Sequence, residues 1–551
     1  MIYRIIACAL LSTGLAHASP ATVDTERLSS IVRELASDEY EGRAPGTPGG
    51  RKTVEYLVEQ FSALDLEPGG ADGRWTHNVP MIHTLFEDPP SLQFTVDGEP
   101  QPLQQKLDIE ASTVRAVDTI AIDAPVVFVG FGAYAPERDW DDYGDIDLEG
   151  KVALFLVNDP DFAAQPGEPV AGRFGNRRMT YYGRWAYKFE EAARRGAVAA
   201  LVIHETEAAG YGWNVASSSP GENYAVVSAD EPVPPVLLQG WLHGDAAAAL
   251  MKSAGRDLDA LRIRARSPDF QAFEMKGVSF SADVEVAVDR FESSNVLAML
   301  PGKKHPDEVL MVAAHWDAYG IGEPDERGRI VRPGANDDAL GIAGILEIAR
   351  VLKAGPPLER SVVFAAWTAE ESGLLGSTAY AKDPVYPLEK TVANLTLDIL
   401  NTAGPARDVV LVGEGQSELE DDLARAAAAQ GRSVTPESLP ENGLFYRADH
   451  FSLARGGVPV LLIMQIAGGA DLVDGGREAG DQWIKDYIGN CYHQTCDAWD
   501  PDWDLRGAAQ DMELFRAIIE DLGNSRRWPR WKAGSEFKAI RQQSDTVRRQ
   551  E

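Results

Sequence analysis

Cysteine is scarce in this chain. Three occur among 551 residues, enough for at most one disulfide and too few for a fold built on cross-links. Long apolar runs are missing too: beyond the first residues, no segment reaches about 18 uninterrupted apolar positions, which excludes a membrane-spanning helix. Positive charge is in deficit, with 52 Lys and Arg against 85 Asp and Glu and a formal net charge of −33. A surface this acidic repels phosphate backbones, so nucleic acid is not an expected partner. Solubility is its ordinary use; attraction of metal cations or cationic peptides is the alternative. Internal repeats and low-complexity tracts are also absent.

What is present fits a soluble globular protein, with 44% hydrophobic and 25% charged residues. The length exceeds the usual span of one hydrophobic core. At the start, Arg4, the apolar stretch Ile5 to Leu15 and the small-residue site Ala16-His17-Ala18 read as a secretory signal. An exported protein, periplasmic or secreted, is therefore expected. Cys8 would leave with residues 1–18. The remaining pair, Cys491 and Cys496, brackets His493. A disulfide is the simplest fate for such a pair in an oxidising compartment; the alternative is that both thiols join His493 as ligands.

Hydrophobic periodicity gives helices on either side of the Gly- and Pro-rich loop at 41–50, then short strands to about Asp123. From about 124 to 266 the texture changes. Buried-strand runs at 125–130, 151–157 and 197–204 alternate with a helix at 188–195, the pattern of an independent α/β module inserted into the main chain. After Ser294 the reading is plain α/β. Strands are expected at 309–314, 361–368, 393–400 and 458–464, with helices at 338–352 and 505–522. The expected organisation is a signal at 1–18, a first part of the main domain at 19–123, the insert at 124–266, a second part at 267–523, and a basic tail at 524–551. Trp528 and Trp531 should pack that tail back on the acidic body.

Five residues able to bind metal stand in order along the second half: His315, Asp337, Glu371, Asp398 and His493. Glu370 directly precedes the third. In open α/β sheets functional groups gather at the carboxyl ends of strands, and His315, Glu370 and Asp398 fall at such ends. Two imidazoles and three carboxylates suit two zinc ions with one carboxylate shared. Glu370 is left over, as a metal-assisted hydrolase needs for proton transfer. Each piece has a plainer reading: Asp337-Asp338 as a helix cap, Glu370-Glu371 as a solvated helix start. Asp398 resists one, because a charge inside the run 395–400 is rarely structural without a partner.

The sequence resembles the dizinc aminopeptidases related to glutamate carboxypeptidase. The motifs are Ala314-His315-Trp316-Asp317, Gly334-Ala335-Asn336-Asp337-Asp338, Ala369-Glu370-Glu371-Ser372-Gly373, Leu397-Asp398 and Tyr492-His493, with an N-terminal signature over 35–43. Gly183-Arg184-Trp185-Ala186-Tyr187-Lys188 resembles a protease-associated domain. The resemblance implies a zinc-peptidase-like mixed open sheet flanked by helices, carrying that inserted α/β domain. It also implies two zinc ions bridged by Asp337, with His315 and Asp398 on one and Glu371 and His493 on the other. Glu370 would be the general base and Asp317 the partner that orients His315. The Asp337–Asp338 peptide is typically cis in the family. Tyr446-Arg447-Ala448-Asp449-His450 matches a further signature, with Ala448 where Ser is common. Some members place an oxyanion-stabilising tyrosine before it; here Phe445 and Tyr446 stand opposite, leaving Tyr446 as the candidate oxyanion or substrate contact.

The implied activity is an aminopeptidase removing N-terminal residues from peptides. The near alternative is a carboxypeptidase or dipeptidase acting on acidic peptides, which would need cationic side chains to grip a terminal carboxylate. A non-catalytic receptor-like protein on the same scaffold is a third reading.

Overall fold

The structure, a computed structural model, describes residues 21–218, 221–227 and 233–548; the expected signal segment lies outside them. Runs without polar alternation become strands covered on both faces. Val460–Met464, Thr391–Asp398, His305–His315 and Arg360–Trp367 lie side by side in that order, all parallel. The far end of the long strand Phe273–Leu300 closes antiparallel on Arg360–Trp367, making the sheet mixed.

Helices Thr25–Leu35, Leu340–Ala354 and Arg506–Gly523 cover one face of this sheet and share one apolar core with it. Leu340–Ala354 is buried almost all round, as expected for a helix held between a sheet and outer helices. Leu375–Lys382 and His450–Arg455 contribute Tyr380, Phe451 and Leu453 to the core on the other face.

A second body has its own core, drawn from residues between Phe86 and Val286. Strands Thr119–Gly130, Val152–Leu156, Ala199–His204 and Leu238–His243 are parallel neighbours, and helix Trp185–Arg194 packs on Ala199–His204. This core extends past both ends of the 124–266 segment. The reason is Phe273–Leu300, which runs through both bodies: its first half pairs with Ser91–Val96 and Thr119–Gly130, its second with the main sheet.

The basic tail packs on the acidic body. Trp531 is buried and donates its indole N–H to Gly457 O at 2.8 Å. Arg526, Arg527, Arg530 and Lys532 pair with Glu308, Asp422, Glu418 and Glu420. Among the described residues, no helix is long and apolar enough to cross a membrane.

Candidate metal centre

Each strand end delivers one part of the site. His315 is the last residue of His305–His315, Asp398 the last of Thr391–Asp398, and Glu370 and Glu371 follow Arg360–Trp367 by three and four positions. Asp337 comes from the turn before helix Leu340–Ala354, and His493 from the loop after Tyr487–Cys491. Three non-glycine residues there have left-handed backbone: Ala369 (φ 54°), Ile399 (φ 48°) and His493 itself (φ 63°). Each costs on the order of 1 kcal/mol, a strain kept where chain ends must turn toward one point.

The side chains meet in two groups that share Asp337. His315, Asp337 and Asp398 form one, and Asp337, Glu371 and His493 the other, with ligand atoms within 4.8 Å of one another in each. His315 Nε2 lies 3.1 Å from Asp337 Oδ1; His493 Nε2 lies 3.3 Å from Asp337 Oδ2 and 3.5 Å from Glu371 Oε2. All but His493 are buried or nearly so. Glu371 Oε1, Asp398 Oδ1 and His493 Nε2 are shut from solvent without a hydrogen-bond donor or acceptor. Burial of such groups unpaired costs kcal/mol each, so the arrangement fits a cation. Two imidazole nitrogens with carboxylate oxygens, three protein ligands to a group, match the donors and open positions of catalytic zinc sites.

Burial, then the nearby Asp337, pushes Asp398 up to about 8. Glu370 and Glu371 are raised well above their usual range, first by burial and then by neighbouring carboxylates, with His315 opposing. Asp337 goes the other way: burial would raise it, but the hydrogen bond from His315 and the nearby His493 imidazole win and hold it low. Glu370 belongs to neither ligand group, yet lines the same cavity.

Asp317 does more than sequence reading gave it. The His315 Nδ1 position is 3.1 Å from the Asp317 main-chain oxygen and 3.6 Å from its carboxylate. The carboxylate itself accepts the main-chain N–H groups of Glu370 and Glu371. Asp337–Asp338 is the cis peptide. Cys491 and Cys496 are joined in a disulfide, which takes the thiols out of the ligand set. Tyr446 lines the cavity, but its hydroxyl donates to Glu536 Oε1 at 2.6 Å. That proton is committed to the tail, so the oxyanion role held open for Tyr446 is not one this geometry offers. Asp449 and His450 are buried outside both ligand groups.

Two supports went unread in the sequence. Asp497 accepts the N–H groups of Asn336 and Asp337 and the hydroxyl of Tyr487. Arg43, fully buried, donates to the main-chain oxygens of Leu35, Trp316, Pro333 and Gly334. Gly334 enters this turn at φ 53°, and a Cβ there would sit 2.2 Å from Asp337 O, so only glycine fits. The signal was present for Arg43, inside the N-terminal motif. For Asp497 it was only an acid four residues past His493.

An open α/β sheet with histidines and carboxylates converging at its strand ends defines the class of metal-binding hydrolases. Residues 295–515 match the family described as peptidase family M28. An aminopeptidase of Pseudomonas aeruginosa is 24% identical over 500 residues, covering 89% of this chain and 78% of that protein. The Mus musculus aminopeptidase NAALADL1 is 34% identical over 181 residues, 30% of this chain and 23% of the relative. Among solved structures, an aminopeptidase from Aneurinibacillus sp. strain AM-1 has the same fold, with TM-score 0.50 and 20% identity over 91% of this chain and 95% of that one.

Proposed function

We propose that this protein is a dizinc aminopeptidase that removes N-terminal residues from peptides. The observation that carries the reading is the shared Asp337, which joins two three-residue ligand groups in one cavity where Glu370 stands unliganded. The match of residues 295–515 to a peptidase family and likeness to proteins named aminopeptidases support it. His315 and Asp398 would hold one ion, Glu371 and His493 the other, with Asp337 between. Such ions supply an acidified water and a positive pole for the carbonyl oxygen.

The chain's own part is proton transfer and orientation. Glu370 takes the proton from the attacking water as its oxygen bonds to the peptide carbon. It then delivers that proton to the departing amine nitrogen as the C–N bond breaks. Asp317 fixes where Glu370 points, by holding its main-chain N–H. Asp497 and Arg43 fix the turn that carries Asp337.

The second body is proposed as a protease-associated domain, a reading its α/β topology supports. Export to an oxidising compartment is proposed as well, supported by the disulfide. A panel of fluorogenic amino-acid amides, with and without chelator, tests the activity together with metal analysis of the purified protein. Chelator-sensitive release and two zinc per chain are expected; a zinc-loaded protein inert on every member would sink the proposal.

A further inference from the structure

The cavity beside the metal centre, about 380 Å³ in volume, has an aromatic wall as well as its carboxylates. Three rings make it: Tyr181 from the second body, and Tyr446 and Phe451 from the main one. Their centres lie 6.0 Å apart for Tyr181 and Tyr446, 5.0 Å for Tyr181 and Phe451, and 5.3 Å for Tyr446 and Phe451. Those are the spacings of packed aromatic pairs, so the wall crosses the seam between the two bodies. Glu190 and Arg455 pair across the same seam at 2.9 Å, with the Arg455 guanidinium 5.4 Å from the Tyr181 ring centre.

The wall is tied to the tail, which lies beyond residue 515, where the match to the peptidase family ends. Glu536 Oε1 accepts the Tyr446 hydroxyl at 2.6 Å and the Tyr181 main-chain N–H at 3.4 Å. One carboxylate oxygen thus holds a wall residue from each body. Its own position is fixed by the next residue. Phe537 is buried and packs on Phe451 at 6.1 Å and on Trp531 at 5.0 Å between ring centres. Trp531 is anchored in turn by its bond to Gly457 O. Burial first and the Glu536 charge second raise the Tyr446 phenol well above its ordinary range, so the hydroxyl remains a donor at neutral pH. Among the described residues Glu536 is its one hydrogen-bond acceptor. A buried hydroxyl deprived of its acceptor costs free energy until it finds another, and the ring would have to move to do so. Packing alone would need only Trp531 and Phe537; the charged residue between them reaches the cavity wall.

We propose that Glu536 is a positioning residue for the substrate cavity: from the tail it holds the Tyr446 ring and the Tyr181 main chain at the spacing that receives a substrate side chain. Glu536 touches no substrate and acts through those two residues. The proposal rests on the aminopeptidase reading and gives the tail a part in it.

The test is steady-state kinetics of the zinc-loaded full chain on phenylalanine and alanine amides of one fluorophore, which differ only in how far the side chain reaches. Glu536→Ala should raise KM for the phenylalanine substrate roughly 10-fold, the low end of the worth of a hydrogen bond to a charged group. Its kcat should stay within about twofold of the parent, as should both constants on the alanine substrate. Glu536→Gln keeps an oxygen for the Tyr446 hydroxyl and should restore most of the loss. Tyr446→Phe should raise KM much as Glu536→Ala does, and the double variant no further, because the two changes remove one interaction. A tail that only supports the fold would lower kcat alike on both substrates. That result would overturn the proposal, as would an unchanged KM for the phenylalanine substrate or a Gln variant as impaired as the Ala variant. Competitive binding of phenylalanine hydroxamate and alanine hydroxamate, both zinc chelators, reads the wall without turnover. A parent inert on every aminoacyl substrate, with a phenylalanine-to-alanine affinity ratio that falls in Glu536→Ala, would overturn the peptidase and leave the positioning role standing. Hydrolysis by the parent with that ratio unchanged in Glu536→Ala would do the reverse.

Discussion

The carboxylate of Asp317 holds the main-chain N–H of Glu370 at 3.0 Å, through Oδ1, while its Oδ2 accepts the N–H of Glu371 at 3.3 Å. One side chain therefore sets the position of the proposed base and of a proposed ligand together. It sits two residues beyond His315, whose Nδ1 lies nearer the Asp317 main-chain oxygen than its carboxylate.

Asp317→Ala should accordingly loosen Glu370 and Glu371 while the imidazole keeps its main-chain partner. Metal affinity is expected to weaken roughly 10- to 100-fold, the usual worth of a group that orients a ligand. Competition against a chromophoric chelator measures it. Unchanged affinity with unchanged turnover would mean that the Asp317 carboxylate orients nothing that matters.

Glu370→Gln keeps the shape of the side chain and removes its capacity to carry a proton. Glu370 belongs to neither ligand group, so metal content should stay at the parent's level. Turnover should fall by roughly 10²- to 10⁴-fold, the contribution of a positioned acid–base group. A variant with full zinc and near-normal rate would sink the assignment; one that loses a metal would place Glu370 among the ligands instead.

Arg43 is held by four main-chain oxygens and no carboxylate. Arg43→Met would leave those oxygens buried without donors, at a cost of about 3–5 kcal/mol in unfolding free energy. Arg43→Lys should recover little of it, because an ammonium cannot fork to four oxygens spread over three loops. Denaturant unfolding of both variants reads the effect. A Lys variant as stable as the parent would show that charge alone, not the fork, is what the site uses.

His315, Glu371 and Asp398 were legible as candidate ligands because each stands at or just past the end of an apolar strand run that leaves little else for a charge to do, Asp398 most plainly. Their grouping about Asp337 was reached only through family resemblance, since order along a chain does not say which side chains meet. The limits of the second body were blurred as well. Strand Phe273–Leu300 alternates along much of its length, and nothing in that pattern marks where it passes from one sheet to the other.

Protons and metal compete for the same carboxylates, and this gives the stability a pH signature. Asp398 is pushed from 3.8 up to about 8 by burial first and the nearby Asp337 second, and Glu370 and Glu371 are raised for the same kind of reason. A carboxyl with a raised folded value favours the protonated native state. The stability it contributes is complete below about pH 4 and is lost as pH climbs through about 8. Asp337, held low by His315 and His493, opposes this only at acid pH, where its contribution disappears on protonation. The chelated protein should thus lose stability between pH 5 and pH 8. Metal binding requires the deprotonated ligands, so the gain from zinc should grow over the same interval. Thermal melts of chelated and zinc-loaded protein at pH 5, 6.5 and 8 should show a gap in Tm that widens with pH. A gap that stays constant or narrows would mean that the buried carboxylates are not what the metal displaces protons from.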